Sequence, residues 1–81
     1  MAPVDYGEAK TDQEMCEAEA AYQAANYVYA HVGVNIGGFE GWGCGTTPSC
    51  GTCVPAQGMT LTGDASVQAA NGMWFRVRSW R

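Results

Sequence analysis

The last third of this chain alternates between apolar and polar residues, and that alternation limits how the whole can fold. From Met59 the odd positions are Met59, Leu61, Gly63, Ala65, Val67 and Ala69, and the even ones Thr60, Thr62, Asp64, Ser66 and Gln68. A period of two belongs to a β-strand with one buried face, and Gly63-Asp64 marks a bend in it. After Ala70-Asn71-Gly72 the chain continues Met73-Trp74-Phe75-Arg76-Val77-Arg78-Ser79-Trp80. A two-residue Asn71-Gly72 turn would set Ala69 opposite Trp74 and Val67 opposite Arg76, mixing the faces. A three-residue Ala70-Asn71-Gly72 loop instead sets Ala69 opposite Met73, Val67 opposite Phe75 and Ala65 opposite Val77. Only this register keeps one face apolar, and it places Gly72 where such loops need a left-handed residue. Ser66 then faces Arg76, and Asp64 faces Arg78 as a charge pair. The pattern predicts a C-terminal hairpin over about 58–80.

Upstream, Thr11-Asp12-Gln13-Glu14 has the form of a capping box, with Thr11 as cap and Glu14 reaching back. Met15, Ala18, Tyr22, Ala25 and Tyr29 follow at three- and four-residue steps, which predicts a helix over about 12–30 with that stripe toward the core. Tyr27 points elsewhere, Gly33 supplies a stop, and His31 falls in the last turn. Glu14, Glu17 and Glu19 form a solvated helix face, with the acids near the positive end of the dipole. Val32, Val34 and Ile36 alternate as a short strand leaving the helix. The expected fold is α+β: one N-terminal amphipathic helix on a three- to four-stranded antiparallel sheet, a small two-layer sandwich. The helix stripe would cover Met59, Leu61, Val67, Phe75 and Val77. Residues 1–10 are expected to be a flexible lead-in, and 11–81 a single small domain.

The middle, about 37–58, has the composition of a Gly/Cys-rich loop, because seven of the 11 Gly lie between positions 33 and 51. No GxGxxG or Gly-Lys-Ser/Thr sequence is present, so the glycines point to tight backbone turns and not to a nucleotide site. Three of the four cysteines, Cys44, Cys50 and Cys53, fall in this stretch, and Cys16 lies in the helix. In a chain of 81 residues a core contributes little net stability, so staples are expected. Two disulfides among the four are the leading expectation. A zinc site using Cys44, Cys50 and Cys53 with Cys16 or His31 is the second, although only Cys50-Gly-Thr-Cys53 has knuckle spacing. A redox dithiol at Cys50 and Cys53 is the third, although the residues after it, Val54-Pro55-Ala56-Gln57-Gly58, form a turn where such sites place a helix; free thiols are the fourth.

Composition narrows the function classes. With 47% hydrophobic residues and only 15% charged, intrinsic disorder is excluded. A net charge of −4 argues against a double-stranded nucleic-acid binder, whose affinity comes largely from neutralising phosphates. No apolar run approaches the ~18 residues of a membrane span. Low charge, an even cysteine count and many Gly, Thr and aromatic residues suggest an exported protein. Ala2-Pro3-Val4-Asp5 resembles an N-terminus left after signal cleavage.

One feature carries a functional expectation. Trp74, Arg76, Arg78 and Trp80 lie on the hairpin face away from the core, about 7 Å apart in sequence along the strand. Three of the four basic residues fall in the last six positions, while seven of the eight acids lie within the first 40. Trp flanked by Arg can stack on sugars or bases, grip carboxylates or phosphates, or anchor a protein interface. The expected function is a small monomeric binding module for a protein, glycan or other anionic ligand, without a cofactor or catalytic residues. The competing arrangement has the Trp cover the second sheet face against the Gly-rich loop, with the Arg paired to Asp64 and helix acids.

Overall fold

The computed structural model describes residues 4–81. It contains helix α1 (Asp12–Asn26) and strands β1 (Phe39–Gly45), β2 (Leu61–Gln68) and β3 (Trp74–Trp80). Both pairings are antiparallel, and β3 is central in the order β1-β3-β2. The chain is therefore a small α+β fold, and no described helix is long and apolar enough to cross a membrane.

The β2–β3 hairpin has Val67 opposite Phe75, Ala65 opposite Val77 and Asp64 opposite Arg78. Its three-residue loop closes with Ala69 N donating to the Met73 carbonyl at 2.7 Å, and Gly72 has φ +90°. Toward the start of β2 the alternation breaks. Leu61 pairs with Trp80 and Gly63 with Ser79, so Thr62 is an extra residue in the ladder. Such a bulge reverses the phase of side chains before it. Leu61, expected in the core, is consequently exposed, while Gly63, Ala65, Phe75 and Val77 are buried.

Helix α1 starts as the capping box dictates: Thr11 Oγ1 accepts from Glu14 N at 3.1 Å, and Glu14 Oε1 accepts from Thr11 N at 3.2 Å. It stops at Asn26, not near residue 30, because Tyr27 adopts the left-handed conformation and its N–H closes on the Gln23 carbonyl. His31 therefore lies beyond the helix. The buried face is also rotated from the expected stripe: Cys16, Glu19, Ala20, Gln23 and Ala24 face inward, while Ala25 is exposed. Small side chains let the helix close on β2 and β3; a Cβ at Gly63 would lie 2.8 Å from Cys16 Sγ. Gln13 fixes this docking, since its side-chain amide donates to the Asp64 carbonyl at 2.9 Å and accepts from Asp64 N at 2.8 Å. Those two bonds occupy the free edge of β2 as a neighbouring strand would.

Two further expectations change. Val32, Val34 and Ile36 form no strand; Val32 and Ile36 are buried, but Val34 is exposed. The strand lies later, at Phe39–Gly45, inside the stretch expected to be loop. Glycine weakens strand propensity, yet here its lack of a side chain is what the packing needs. Gly41 and Gly43 pair with Arg78 and Arg76, on the face away from the helix. A Cβ at either position would overlap the carbonyl oxygen of Cys53 or Gly51. Residues 50–53 thus lie directly on the sheet as a partial third layer. The first three residues of the expected lead-in lie outside the described residues; Tyr6, within it, is anchored as described below.

This packing makes a paired prediction. Gly43→Ala forces backbone apart and should cost about 1–3 kcal/mol in urea unfolding. Gly51→Ala, whose Cβ meets open space, should stay within about 0.5 kcal/mol of the parent. Equal effects would contradict the close approach.

Candidate functional site

The outer sheet face carries the Trp/Arg stripe, and the covering segment engages most of it. Arg76 makes a two-pronged ion pair with Asp64, Nε to Oδ1 at 2.8 Å and Nη2 to Oδ2 at 2.6 Å, and donates from Nη1 to the Cys50 carbonyl at 3.0 Å. Asp64 therefore bonds the diagonal Arg76 and not its cross-strand neighbour Arg78. The Arg76 guanidinium holds the Asp64 carboxyl below its ordinary range. Arg81 is similarly two-pronged on Asp12, at 2.7 and 3.0 Å, and Thr62 Oγ1 donates to the same carboxylate at 2.7 Å. Trp80 is buried, with Phe39 edge-on at 5.7 Å between ring centres. Trp74 is half-buried.

Arg78 differs from its neighbours. Its Nε donates to Thr52 Oγ1 at 2.8 Å, and its guanidinium carbon lies 5.2 Å from the centre of the Trp80 ring. Among the described residues it has no carboxylate within ion-pair distance, although it is only half-exposed. The stripe is thus divided: Arg76 is closed on Asp64 and the covering segment, Trp80 is buried, and Arg78 keeps a guanidinium edge uncommitted.

A second cluster lies on the opposite side of the sheet, where sequence reasoning placed a solvated acid. Glu19 is fully buried, and Glu40, facing inward from β1, is 6% exposed. The Tyr6 hydroxyl donates to Glu19 Oε1 and accepts from Val34 N at 2.8 Å. Glu40 Oε1 accepts from Ile36 N at 3.0 Å, and its Oε2 lies 3.3 Å from His31 Nδ1. Glu19 Oε2 is buried without a hydrogen-bond partner, and the Glu40 carboxyl lies near enough to act on it electrostatically. Two adjacent buried carboxyls cannot both ionise cheaply. Burial first, and then the neighbouring Glu40 carboxyl, raise Glu19 from 4.5 to about 8 against the lowering effect of the Tyr6 hydrogen bond. At neutral pH its burial favours Glu19 as the uncharged carboxylic acid. Burial and the Glu19 bond also push the Tyr6 hydroxyl well above its ordinary value. An opening of about 220 Å³ lies above, lined by His31, Asn35, Gly38, Phe39 and Glu40.

All four cysteines are free, which corrects the expectation of two disulfides. Cys16 is buried between helix and sheet, 3.5 Å from Ser79 Oγ, and burial pushes its thiol up to about 11. Cys44, Cys50 and Cys53 belong to β1 and the covering segment, where Cys44 and Cys53 are exposed. Among the described residues no three His, Cys, Asp or Glu converge as metal ligands, so the zinc set is not assembled. Burial raises the Cys50 thiol too, opposite to the depressed pKa that a reactive dithiol requires. In place of covalent staples, the Gly-rich middle is held by Arg76, Arg78 and by Ser66 Oγ donating to the Pro48 carbonyl at 2.6 Å.

The Gln-like neutrality of Glu19 was not legible in sequence, since a helical glutamate among other acids has the pattern of a solvated face. The nearest signal was its spacing from Cys16, Ala20 and Gln23, three of the small or uncharged residues with which it shares a face. Comparison with protein-family models, with curated proteins and with solved structures finds no match to this chain.

The buried acid sets the pH dependence of stability. A carboxyl raised on folding contributes stability fully below its ordinary 4.5, and that contribution is lost as pH rises through about 8. Unfolding free energy should therefore fall from pH 5 to pH 9, about 1.4 kcal/mol for each unit of raised pKa that is crossed. Glu19→Gln stays uncharged at every pH and keeps an acceptor for Tyr6, so its decline over the same range should be much shallower. Parallel curves for the two proteins would show that Glu19 is ionised in the fold.

Proposed function

We propose that this protein is a small binding module that recognises an anionic group through Arg78. The observation that carries the reading is the contrast among three arginines: Arg76 and Arg81 are each closed on an aspartate, while Arg78 is oriented by Thr52 and Trp80 without an acid. A guanidinium held by one acceptor and an aromatic ring loses little entropy on gripping a planar carboxylate or a phosphate. Its partly buried position also weakens competition from water. The ligand class is a carboxylate-, phosphate- or sulfate-bearing partner, and Trp74 and the rim of Trp80 supply flanking aromatic surface. Export is part of this proposal and rests on composition, namely few charges with abundant Gly, Thr and aromatic residues.

Titration with sodium sulfate and sodium acetate, followed by the Arg side-chain Nε–H signals in NMR spectra, tests the assignment. The Arg78 signal should shift saturably while those of Arg76 and Arg81 stay within their salt-control range. Arg78→Lys should weaken binding by about three- to tenfold because the two-pronged grip is lost. Equal shifts at all three arginines would contradict a selective site.

A further inference from the structure

The sheet has two outer edges, and the chain treats them differently. On β2 the outward N–H and carbonyl of Asp64 are taken by Gln13, and the bulge at Thr62 breaks the ladder beyond, which leaves Ser66 and Gln68. On β1 no such plug is present among the described residues. Met73 and Arg81 turn their backbone groups toward the β2 side, bonding Ala69 and Thr60. Alternation along an antiparallel strand then turns those of Trp74, Arg76 and Arg78 toward β1, where Gly45, Gly43 and Gly41 meet them. The intervening Glu40, Trp42 and Cys44 point N–H and carbonyl out of the sheet, and no backbone bond from another described residue reaches them. Natural sheets blunt such an edge with Lys, Pro, a bulge or a charge that pairing would bury. β1 is regular over Phe39–Gly45 and has no Lys, Arg or Pro. Its one charged side chain, Glu40, is already buried and held by Ile36 N and His31, so a strand arriving alongside buries no new charge.

We propose that β1 pairs antiparallel with β1 of a second copy of this chain about a two-fold axis at Trp42, making a dimer with one continuous sheet. The open groups fit one another. Glu40 and Cys44 lie two residues either side of Trp42, so Glu40 of each copy faces Cys44 of the other and Trp42 faces Trp42. Every outward N–H then meets an outward carbonyl, about six hydrogen bonds in all. Between these pairs Gly41 faces Gly43, and neither has a side chain to collide on the outer face. Both flanks leave room for the approach. Arg76 and Arg78 draw the covering segment back toward β3, and the helix sits over β2 and β3. The half-buried Trp42 gains an aromatic cross-strand neighbour. Seven residues make an edge about 24 Å long. That is a small contact, below about 1,200 Å² in total, so the dimer is weak and concentration-dependent. Pairing uses up both β1 edges, and Gln13 plugs the β2 edges that remain, so assembly stops at two.

The test is sedimentation velocity of the full chain with reductant present, from about 5 μM to about 1 mM, where a monomer–dimer equilibrium with a Kd of about 10–100 μM is expected. Across that range amide exchange at Trp42 and Cys44 should slow several-fold, while exchange at Ser66 and Gln68 should not change. In a sample mixing labelled and unlabelled protein, an intermolecular NOE should join the α-protons of Gly41 and Gly43. Cys44→Pro removes an outward N–H without touching the ladder to β3, and should weaken association at least tenfold. Gln68→Pro makes the same change on the other edge and should leave association unaltered. The exchange and NOE measurements on the parent protein decide the matter if either variant fails to fold. A chain that stays monomeric to about 1 mM overturns the proposal. So does a dimer that reductant abolishes, because Cys44 would then be its cause. Dimers without protection at Trp42 and Cys44, or assemblies that grow beyond two, also overturn it.

Discussion

Four parts of this chain meet at one pair of neighbouring buried carboxyl groups. Tyr6 brings the N-terminal segment to Glu19, Glu19 comes from the helix, Glu40 from β1, and Ile36 N ties in the connection between them. Two charges at that depth would cost far more than the few kcal/mol by which a domain of this size is stable. The fold is therefore more stable when the pair holds a proton. That preference explains why the inward helix face is not its most apolar stripe. A helix turned to bury Tyr22 and Ala25 would leave Glu19 in water.

On the other side of the sheet the governing constraint is steric. Gly41 and Gly43 bring the backbone of residues 50–53 onto β1, and the carbonyl of Cys50 thereby comes within reach of Arg76. Arg76 then needs Asp64, so the diagonal ion pair displaces the direct cross-strand one. Arg78 is left uncommitted as a consequence of that geometry. The two halves share β3, whose inward residues Phe75 and Val77 build the core while its outward arginines hold the covering layer.

Much of this architecture was legible in the residues. The capping box located the start of the helix, and the demand for one apolar face selected the three-residue hairpin loop. Both are local arguments in which a single requirement excludes its alternatives. What escaped had non-local causes. The bulge at Thr62, which exposes Leu61, follows from how Ser79, Thr62 and Asp12 meet across three elements. β1 was hidden because its glycines suit contact with a segment that follows it in sequence. The early helix end depends on Tyr27 taking a left-handed conformation that the sequence favours only weakly. Of the stripe Trp74, Arg76, Arg78 and Trp80, the sequence correctly placed the residues on one face; which of them the covering segment would engage depended on tertiary packing. The disulfides expected from the cysteine count are absent, and ion pairs and glycine packing secure the middle of the chain instead.

The central claim is that Glu19 is a neutral acid inside the folded protein. Carbon-detected NMR titration of the glutamate side-chain carboxyls tests it directly. The account predicts that the Glu19 signal keeps its protonated shift through neutrality and moves with a midpoint near 8. A Glu19 midpoint near the ordinary 4.5 in the folded chain would contradict it.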